Sequence, residues 1–255
     1  MQIYVCVKHV PDSAARVTVV DDLWIDENIT FLLNPYDENA VEAAVRIAEK
    51  QPDTQVVAIT VGRAAAVGTL KSALAMGADR AILVQSDQPA DSLQTARVLA
   101  AAILADGAPD LIFAGRMAID SEGYQTHFRL AAALDLPVAT NVTTLDMQNG
   151  VLTAECEFEA GGRMICEMPL PCVVGAGKGL NEPRYPTFRQ IVKARKKEIR
   201  QINAAQLQLE VPAARVELTK LRPVVENRRG EILAGTPEVA VARLIRRLRE
   251  RDRVI

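Results

Sequence analysis

The stretch Gly115-Arg116-Met117-Ala118-Ile119-Asp120-Ser121-Glu122-Gly123-Tyr124-Gln125-Thr126 follows an apolar run and leads into a helical pattern. Polar and glycine-containing between a strand and a helix, it can aim backbone N–H groups at an anion, which is how a helix N-terminus holds a phosphate without a lysine. A second glycine-rich stretch, Gly175-Ala176-Gly177-Lys178-Gly179, meets neither nucleotide pattern. Leu180 stands where a dinucleotide fingerprint has its third glycine, no G-x-x-x-x-G-K-[ST] occurs, and Asn181-Glu182-Pro183 interrupts any immediate helix. It reads as a glycine-bearing bend. His9 and His127 have no partner at zinc spacing, and no H-E-x-x-H, G-x-S-x-G or Cys–His signature is present, so metal and nucleophilic hydrolysis have little support. Cys6, Cys156, Cys166 and Cys172 form no C-x-x-C pair and read as reduced core residues.

A third stretch, Asn181–Lys197, combines prolines, two aromatics and dense positive charge. From Arg184 to Arg200 there are seven basic residues (Arg184, Arg189, Lys193, Arg195, Lys196, Lys197, Arg200) against Glu198 alone. Such a run is usually a solvated face. Nucleic acid ranks below protein docking for it, because aromatic interleaving stops at Tyr185 and Phe188 and the whole chain is balanced.

The elements that must position these residues follow from periodicity. Short apolar runs at Gln2–Val7, Gln55–Val61, Arg80–Val84 and Asp110–Ala114 suit buried strands. Helical patterns lie between them. In Asp37–Lys50, Ala40, Val41, Ala44, Val45 and Ala48 share one face, and Asn34-Pro35 ahead of it predicts an N-cap and a first-turn proline. Further helices are expected from about Ala64 to Met76, Ser92 to Ala105 and Tyr124 to Leu134. Strands alternating with helices imply a parallel sheet with right-handed crossovers. The loop at 115–126 then sits at the carboxyl edge of the sheet beside Asn34–Asp37 and Val61-Gly62, where open α/β folds bind ligands. From spacing alone, an ordinary loop cluster explains this nearly as well as a nucleotide pocket.

After Pro137, Asn141–Asp146, Val151–Phe158 and Arg163–Glu167 are separated by the turn signals Gln148-Asn149-Gly150 and Ala160-Gly161-Gly162, which predicts an antiparallel hairpin insert at about 141–167. Pro171–Gly175 resembles one more core strand. From Asn181 no strand–helix unit is evident, so the chain reads as a domain at 1–183 followed by an extension at 184–255. The extension ends in Thr236–Arg253, where Val241, Leu244, Ile245 and Leu248 form an apolar stripe among arginines. Such a helix needs a surface to cover that stripe, its own domain or another subunit.

With 255 residues, 49% hydrophobic and 24% charged, the chain is long enough for a sizeable core and is not disordered. A net charge of −2 gives no global field that would recruit nucleic acid or an anionic membrane. No apolar stretch reaches the ~20 residues of a membrane span and no signal-peptide pattern opens the chain, so it reads as cytoplasmic.

At the basic segment the sequence resembles the beta (small) subunit of the electron-transfer flavoproteins. Val7-Lys8-His9-Val10-Pro11-Asp12, Asn34-Pro35-Tyr36-Asp37-Glu38-Asn39-Ala40-Val41-Glu42, Ala73-Leu74-Ala75-Met76-Gly77-Ala78-Asp79-Arg80, Gly115-Arg116-Met117-Ala118-Ile119-Asp120 and Leu180-Asn181-Glu182-Pro183-Arg184-Tyr185-Pro186-Thr187 are similar to that family's motifs, in order, and G-T-P-E in the arm is too. The match departs at Met117, at Ser121–Tyr124 and at His127. The resemblance implies a Rossmann-like α/β domain with a parallel sheet, an adenine-nucleotide site, a hairpin insert and a C-terminal arm. It implies a heterodimer with an alpha subunit that carries most of the redox FAD, while the beta subunit holds AMP. Electrons would pass from acyl-CoA or other flavin dehydrogenases to a quinone-linked or other acceptor. The nucleotide would be held by Cys6, Asn34, Pro35, Tyr36, Asp37, Val61 and the loop from Gly115 to Thr126. Partner docking would fall to Arg184, Tyr185, Phe188, Arg189, Ile191 and Lys193, with Phe188 as a protruding anchor. The chain would be a carrier without a catalytic residue or metal, its chemistry one of placement. Alternatives are a bifurcating relative with a second FAD in place of AMP, and a nucleotide-dependent hydrolase or transferase.

Overall fold

The computed structural model describes residues 1–88, 90–207, 213–223, 230–251, 253 and 254, and the backbone alone of Glu159; parts of the expected extension and the Asp252 position of its last helix lie outside the described residues. Along the chain run β1 (Gln2–Cys6), β2 (His9–Pro11), β3 (Val19–Val20), β4 (Trp24–Ile25), β5 (Phe31–Leu33), α1 (Pro35–Lys50), β6 (Gln55–Gly62), α2 (Val67–Met76), β7 (Arg80–Gln85), α3 (Ser92–Asp106), β8 (Leu111–Gly115), α4 (Thr126–Leu134), β9 (Val138–Gln148), β10 (Val151–Glu157), β11 (Arg163–Pro169), β12 (Cys172–Ala176), α5 (Phe188–Ala194), β13 (Ile199–Asn203) and α6 (Pro237–Glu250).

Nine strands form one sheet in the order β11-β10-β9-β12-β8-β1-β6-β7-β13. It is parallel from β9 through to β13, with β1 at its centre: Val5 pairs with Ala58 on one side and Phe113 on the other. Strand alternation divides the core into two layers. Ile3 and Val5 of β1 point into the layer with Val41, Ala44, Leu70 and Leu74 of α1 and α2. Tyr4 and Cys6 point the other way, into the layer with Leu99, Ile103 and Leu130 of α3 and α4. Every helix start along the crossovers is therefore delivered to one edge of the sheet.

The expected hairpin insert is present as β9-β10-β11, with Val151 pairing with Gln148 and with Pro169. Two expectations need correcting. The chain beyond Asn181 does carry a helix–strand pair, because α5 packs by α2 and β13 adds a parallel edge strand on β7 with Ile199 opposite Ala81. That unit was hidden because α5 is only seven residues long and β13 breaks strand alternation with the consecutive exposed pair Arg200 and Gln201. Gly175 lies in the expected strand, inside β12, and the bend of the glycine-rich stretch follows it, closed by the Leu180 N–H on the Gly177 carbonyl at 3.2 Å. Helix α4 begins at Thr126, two residues later than expected.

Met1–Leu221 make one compact unit and Arg222–Ile255 a second, smaller one. In the second, α6 opens on Thr236-Pro237-Glu238, and Arg247 pairs with Glu231 at 2.5 Å. Val241, Leu244 and Ile245 are exposed along it. No helix of the described residues is long and apolar enough to cross a membrane.

Candidate functional site

Three loops lie at the carboxyl edge of β1, β6 and β8, and the first turn of α1 ties together those that follow β1 and β8. Asn34 occupies the cap position of α1 but makes no cap bond. Its fully buried side chain instead donates Nδ2–H to the Met117 carbonyl at 2.9 Å and accepts the Ile119 N–H at 3.1 Å. The helix gives up a cap worth about 1 kcal/mol so that the loop after β8 is fixed.

Asp37, one turn later, accepts the Lys8 N–H at 2.7 Å and the Gly115 N–H at 2.9 Å, tying the exits of β1 and β8 to the same helix. Burial pushes this carboxyl up to about 7, against the pull of Asn34, the two N–H donors and the Lys8 charge. Lys8 Nζ in turn grips both oxygens of Asp120 at 2.8 Å. The loop from Gly115 to Asp120 is thus held at both ends before any ligand arrives.

Past Asp120 the backbone turns through two left-handed residues, Glu122 (φ 47°) and Tyr124 (φ 54°), into the uncapped start of α4. Strained non-glycine backbone of this kind persists where its surroundings over-determine it. The N–H groups from Gly123 to His127 have no partner among the described residues, and a Cβ at Gly123 would meet nothing within 4 Å. This end of α4 is open and electropositive, suited to a phosphate. Ser121, Glu122, Gln125 and Phe128 are exposed around it, and the Ser92 hydroxyl reaches Gln125 Oε1 at 3.3 Å.

Arg116 leaves the loop sideways. Its guanidinium donates to Asn141 Oδ1 at 3.0 Å and to the Tyr36 hydroxyl at 2.9 Å, and lies 4.8 Å from the centre of the Tyr36 ring. Its Nε is buried with no hydrogen-bond partner. Pro35 is exposed beside it, Val61 is half-buried at the end of β6, and Cys6 lies buried at the end of β1 with its thiol raised by burial. These expected nucleotide residues therefore share one edge, with Cys6, Asn34 and Asp37 buried in it and Pro35 exposed.

Spacing did not reveal His127 as part of this edge. It is buried, its Nε2 lies 2.8 Å from Thr140 Oγ1, and burial pushes its pKa down to about 4. Its ring sits 4.3 Å from that of Phe128 and 5.7 Å from that of Tyr124, and a Cβ on Gly175 would come within 3.0 Å of it. A buried, uncharged His127 thus stands in the first turn of α4, with Tyr124 half-buried and Phe128 exposed against it. Only its departure from a family motif marked it in the sequence.

The basic segment divides into tethers and exposed residues. Asn39 and Asn181 bond reciprocally, each side-chain amide to the other's carbonyl, at 2.8 and 2.9 Å. Arg184, expected at a docking surface, turns inward: it reaches Glu42 at 2.7 Å and Glu49 at 2.6 Å on α1. Glu42 is buried, yet Arg184 and Arg46 hold its carboxyl below the usual range. Lys197 is also turned inward, donating to the Leu74 and Ala78 carbonyls at the end of α2. In contrast Tyr185 is 96% and Phe188 79% exposed, and Ile191, Arg189 and Lys193 are exposed on the same short helix. No group of three or more metal-ligating side chains occurs among the described residues.

The electron transfer flavoprotein domain model matches residues 22–207, which include the first turn of α1, the loop after β8 and the basic segment. This chain belongs to the electron transfer flavoprotein family. Among curated relatives, "Electron transfer flavoprotein subunit beta" of Syntrophomonas wolfei is 35% identical over 244 residues, covering 96% of this chain and 94% of that one. The Bacillus subtilis protein of the same name is 33% identical over 261 residues and covers both chains in full. The human one is 37% identical over 218 residues, 83% of this chain and 84% of its own. The chain is thus an electron transfer flavoprotein beta subunit, an electron-transfer protein whose family implies an alpha-subunit partner and association with flavin.

Proposed function

We propose that this beta subunit holds AMP at the carboxyl edge of its sheet and pairs with an alpha subunit carrying the redox FAD, the heterodimer taking electrons from acyl-CoA or other flavin dehydrogenases to a quinone-linked or other acceptor. One observation supports the nucleotide site above the others: the N–H groups from Gly123 to His127 stand open on a loop held in advance by Asn34, Asp37 and Lys8. One phosphate fits there. The partnerless Nε of Arg116 supplies one more buried donor beside the same edge.

The bulk at this edge favours the monophosphate over a second FAD. Tyr124, His127 and Phe128 group their bulky rings at the start of α4, which leaves less room for a longer dinucleotide than small residues would, and His127 carries no charge at neutral pH to offset extra phosphate. In this reading the flavin supplies the redox chemistry, and this chain's residues bind, position and dock. The outer face of α5, with Phe188 and Ile191 beside Arg189 and Lys193, suits transient docking, burial giving affinity and charge giving steering.

Mass spectrometry of nucleotides released from the purified heterodimer tests the reading. One AMP and one FAD per dimer is expected. Two FAD and no AMP overturns it and makes a bifurcating carrier the better account.

A further inference from the structure

Between the nucleotide edge and the exposed aromatics lies a clamp that neither function needs as a binding group. On one face of α1, Glu42 and Glu49 stand two turns apart with Arg46 between them, and Arg46 Nε reaches Glu42 at 2.5 Å. Arg184 lays its fork across both carboxylates: Nε and Nη2 on Glu42 at 2.7 and 3.2 Å, Nη1 and Nη2 on Glu49 at 2.6 and 3.1 Å. Its backbone N–H also bonds Glu42 at 3.2 Å, and Arg46 takes the Glu182 carbonyl at 3.1 Å. The Glu42 side chain is only 3% exposed and that of Arg184 26%, so this pair meets largely out of water, while Glu49 closes the clamp from its solvent side.

The residue next to this clamp is Tyr185, and three positions on, the Thr187 capping box starts α5 with Phe188 at its first position. A segment without sheet pairing is thus fastened to a 16-residue helix immediately before it presents its most exposed aromatics. Ordering a loop on binding costs affinity, and fixing it beforehand removes that cost.

We propose that Arg184 is a positioning residue for partner docking, holding the Tyr185–Phe188 segment in its bound form through Glu42 and Glu49 without itself touching the partner. The inference rests on the docking role proposed above for Phe188. It is separate from charge steering, because Arg184 is neutralised within the clamp while Arg189 and Lys193 remain in solvent.

Arg184→Lys separates the two effects: it keeps the charge but loses the planar fork that serves two carboxylates at once. With a purified acyl-CoA dehydrogenase as electron donor and the intact heterodimer as acceptor, Arg184→Lys is expected to raise KM for the heterodimer roughly fivefold. The kcat, the salt dependence of KM and the nucleotide content should hold, and hydrogen exchange should quicken across residues 185–194. Glu49→Gln, on an exposed carboxylate, should raise KM in the same direction, and it carries the test if Arg184→Lys does not fold. Phe188→Ala is the control. If it raises KM while both clamp variants leave KM and exchange unchanged, the positioning role is overturned and the docking surface stands. Unchanged KM in all three removes the docking surface itself. A fall in nucleotide content and melting temperature accompanying the KM change makes Arg184 a general structural residue and also overturns the proposal.

Discussion

Asp37 Oδ1 accepts the Gly115 N–H at 2.9 Å, and a methyl group at Gly115 would come within 2.3 Å of that same oxygen. The first turn of α1 and the end of β8 are so close that glycine is required for space and the carboxylate for bonding. Gly115→Ala would also press on Tyr36 at 2.7 Å, so the strand end must move. The expected result is a loss of about 3 kcal/mol in stability, read by denaturant unfolding, together with reduced nucleotide content. Asp37→Asn keeps the shape but turns an amide N–H toward one of two backbone donors, a cost of about 1–3 kcal/mol. Because the Asp37 pKa is raised from 3.8 to about 7, the folded state holds this proton longer than the unfolded chain. Its contribution therefore favours folding at low pH and weakens as pH rises from about 4 to 7, a slope that Asp37→Asn should lack.

This arrangement shows what the sequence could and could not reveal. The strand–helix alternation and the hairpin turns carry strong periodic signals, so the parallel sheet, its insert and the loop cluster at residues 34–37, 61 and 115–126 were legible. Asn34 read as a helix cap because its position is that of one; its actual partners, Met117 and Ile119, are 83 and 85 residues away. Arg184 and Lys197 read as solvated charge because a basic run carries no mark of direction. Only the packed helices show that one guanidinium and one ammonium turn inward. The same limit hid β13, whose pairing partner β7 lies more than a hundred residues earlier.

His127 gives the site an acid-sensitive component. Its pKa falls from 6.5 to about 4 through burial, so the unfolded chain binds a proton that the folded chain refuses between those values. Its stabilising contribution is present above pH 6.5 and is lost as pH falls to about 4, by roughly 3 kcal/mol. His127→Gln keeps an amide for Thr140 and cannot titrate. Between pH 7 and pH 4.5 the urea midpoint of this variant should move toward higher stability relative to that of the parent chain, because the opposite Asp37 slope is common to both and only the parent loses the His127 contribution. Equal movement in both chains would show that His127 is not the group refusing the proton.

Lys197 and Lys196 are neighbours in sequence with opposite expected behaviour. Lys197 satisfies the last carbonyls of α2 at Leu74 and Ala78, whereas Lys196 is exposed. Lys197→Met leaves those acceptors without a donor and should cost about 1–3 kcal/mol, roughly 3–10 °C in melting temperature for a chain of this size. Lys196→Met should stay within about 0.5 kcal/mol of the parent. Calorimetry on the two variants separates a structural lysine from a surface one. Equal stability would mean that Lys197 does not hold α5 and β13 against α2.

The terminal helix carries the prediction most dependent on the alpha subunit. Along α6, Val241, Leu244 and Ile245 are 53%, 44% and 39% exposed, while Arg243, Arg246, Arg249 and Arg251 keep the rest of its surface charged. An isolated helix of this length is marginal in water, and its apolar stripe gains most by being covered. If the alpha subunit covers it, each 100 Å² of apolar contact contributes about 2.5 kcal/mol before the ordering costs of association. A chain ending at Gly235 should then fold and keep its sheet but bind the alpha subunit at least tenfold more weakly, a loss of about 1.4 kcal/mol or more. Titration of the truncated chain against the alpha subunit by calorimetry reads this directly. Full-strength association would show that the stripe is not part of the heterodimer interface.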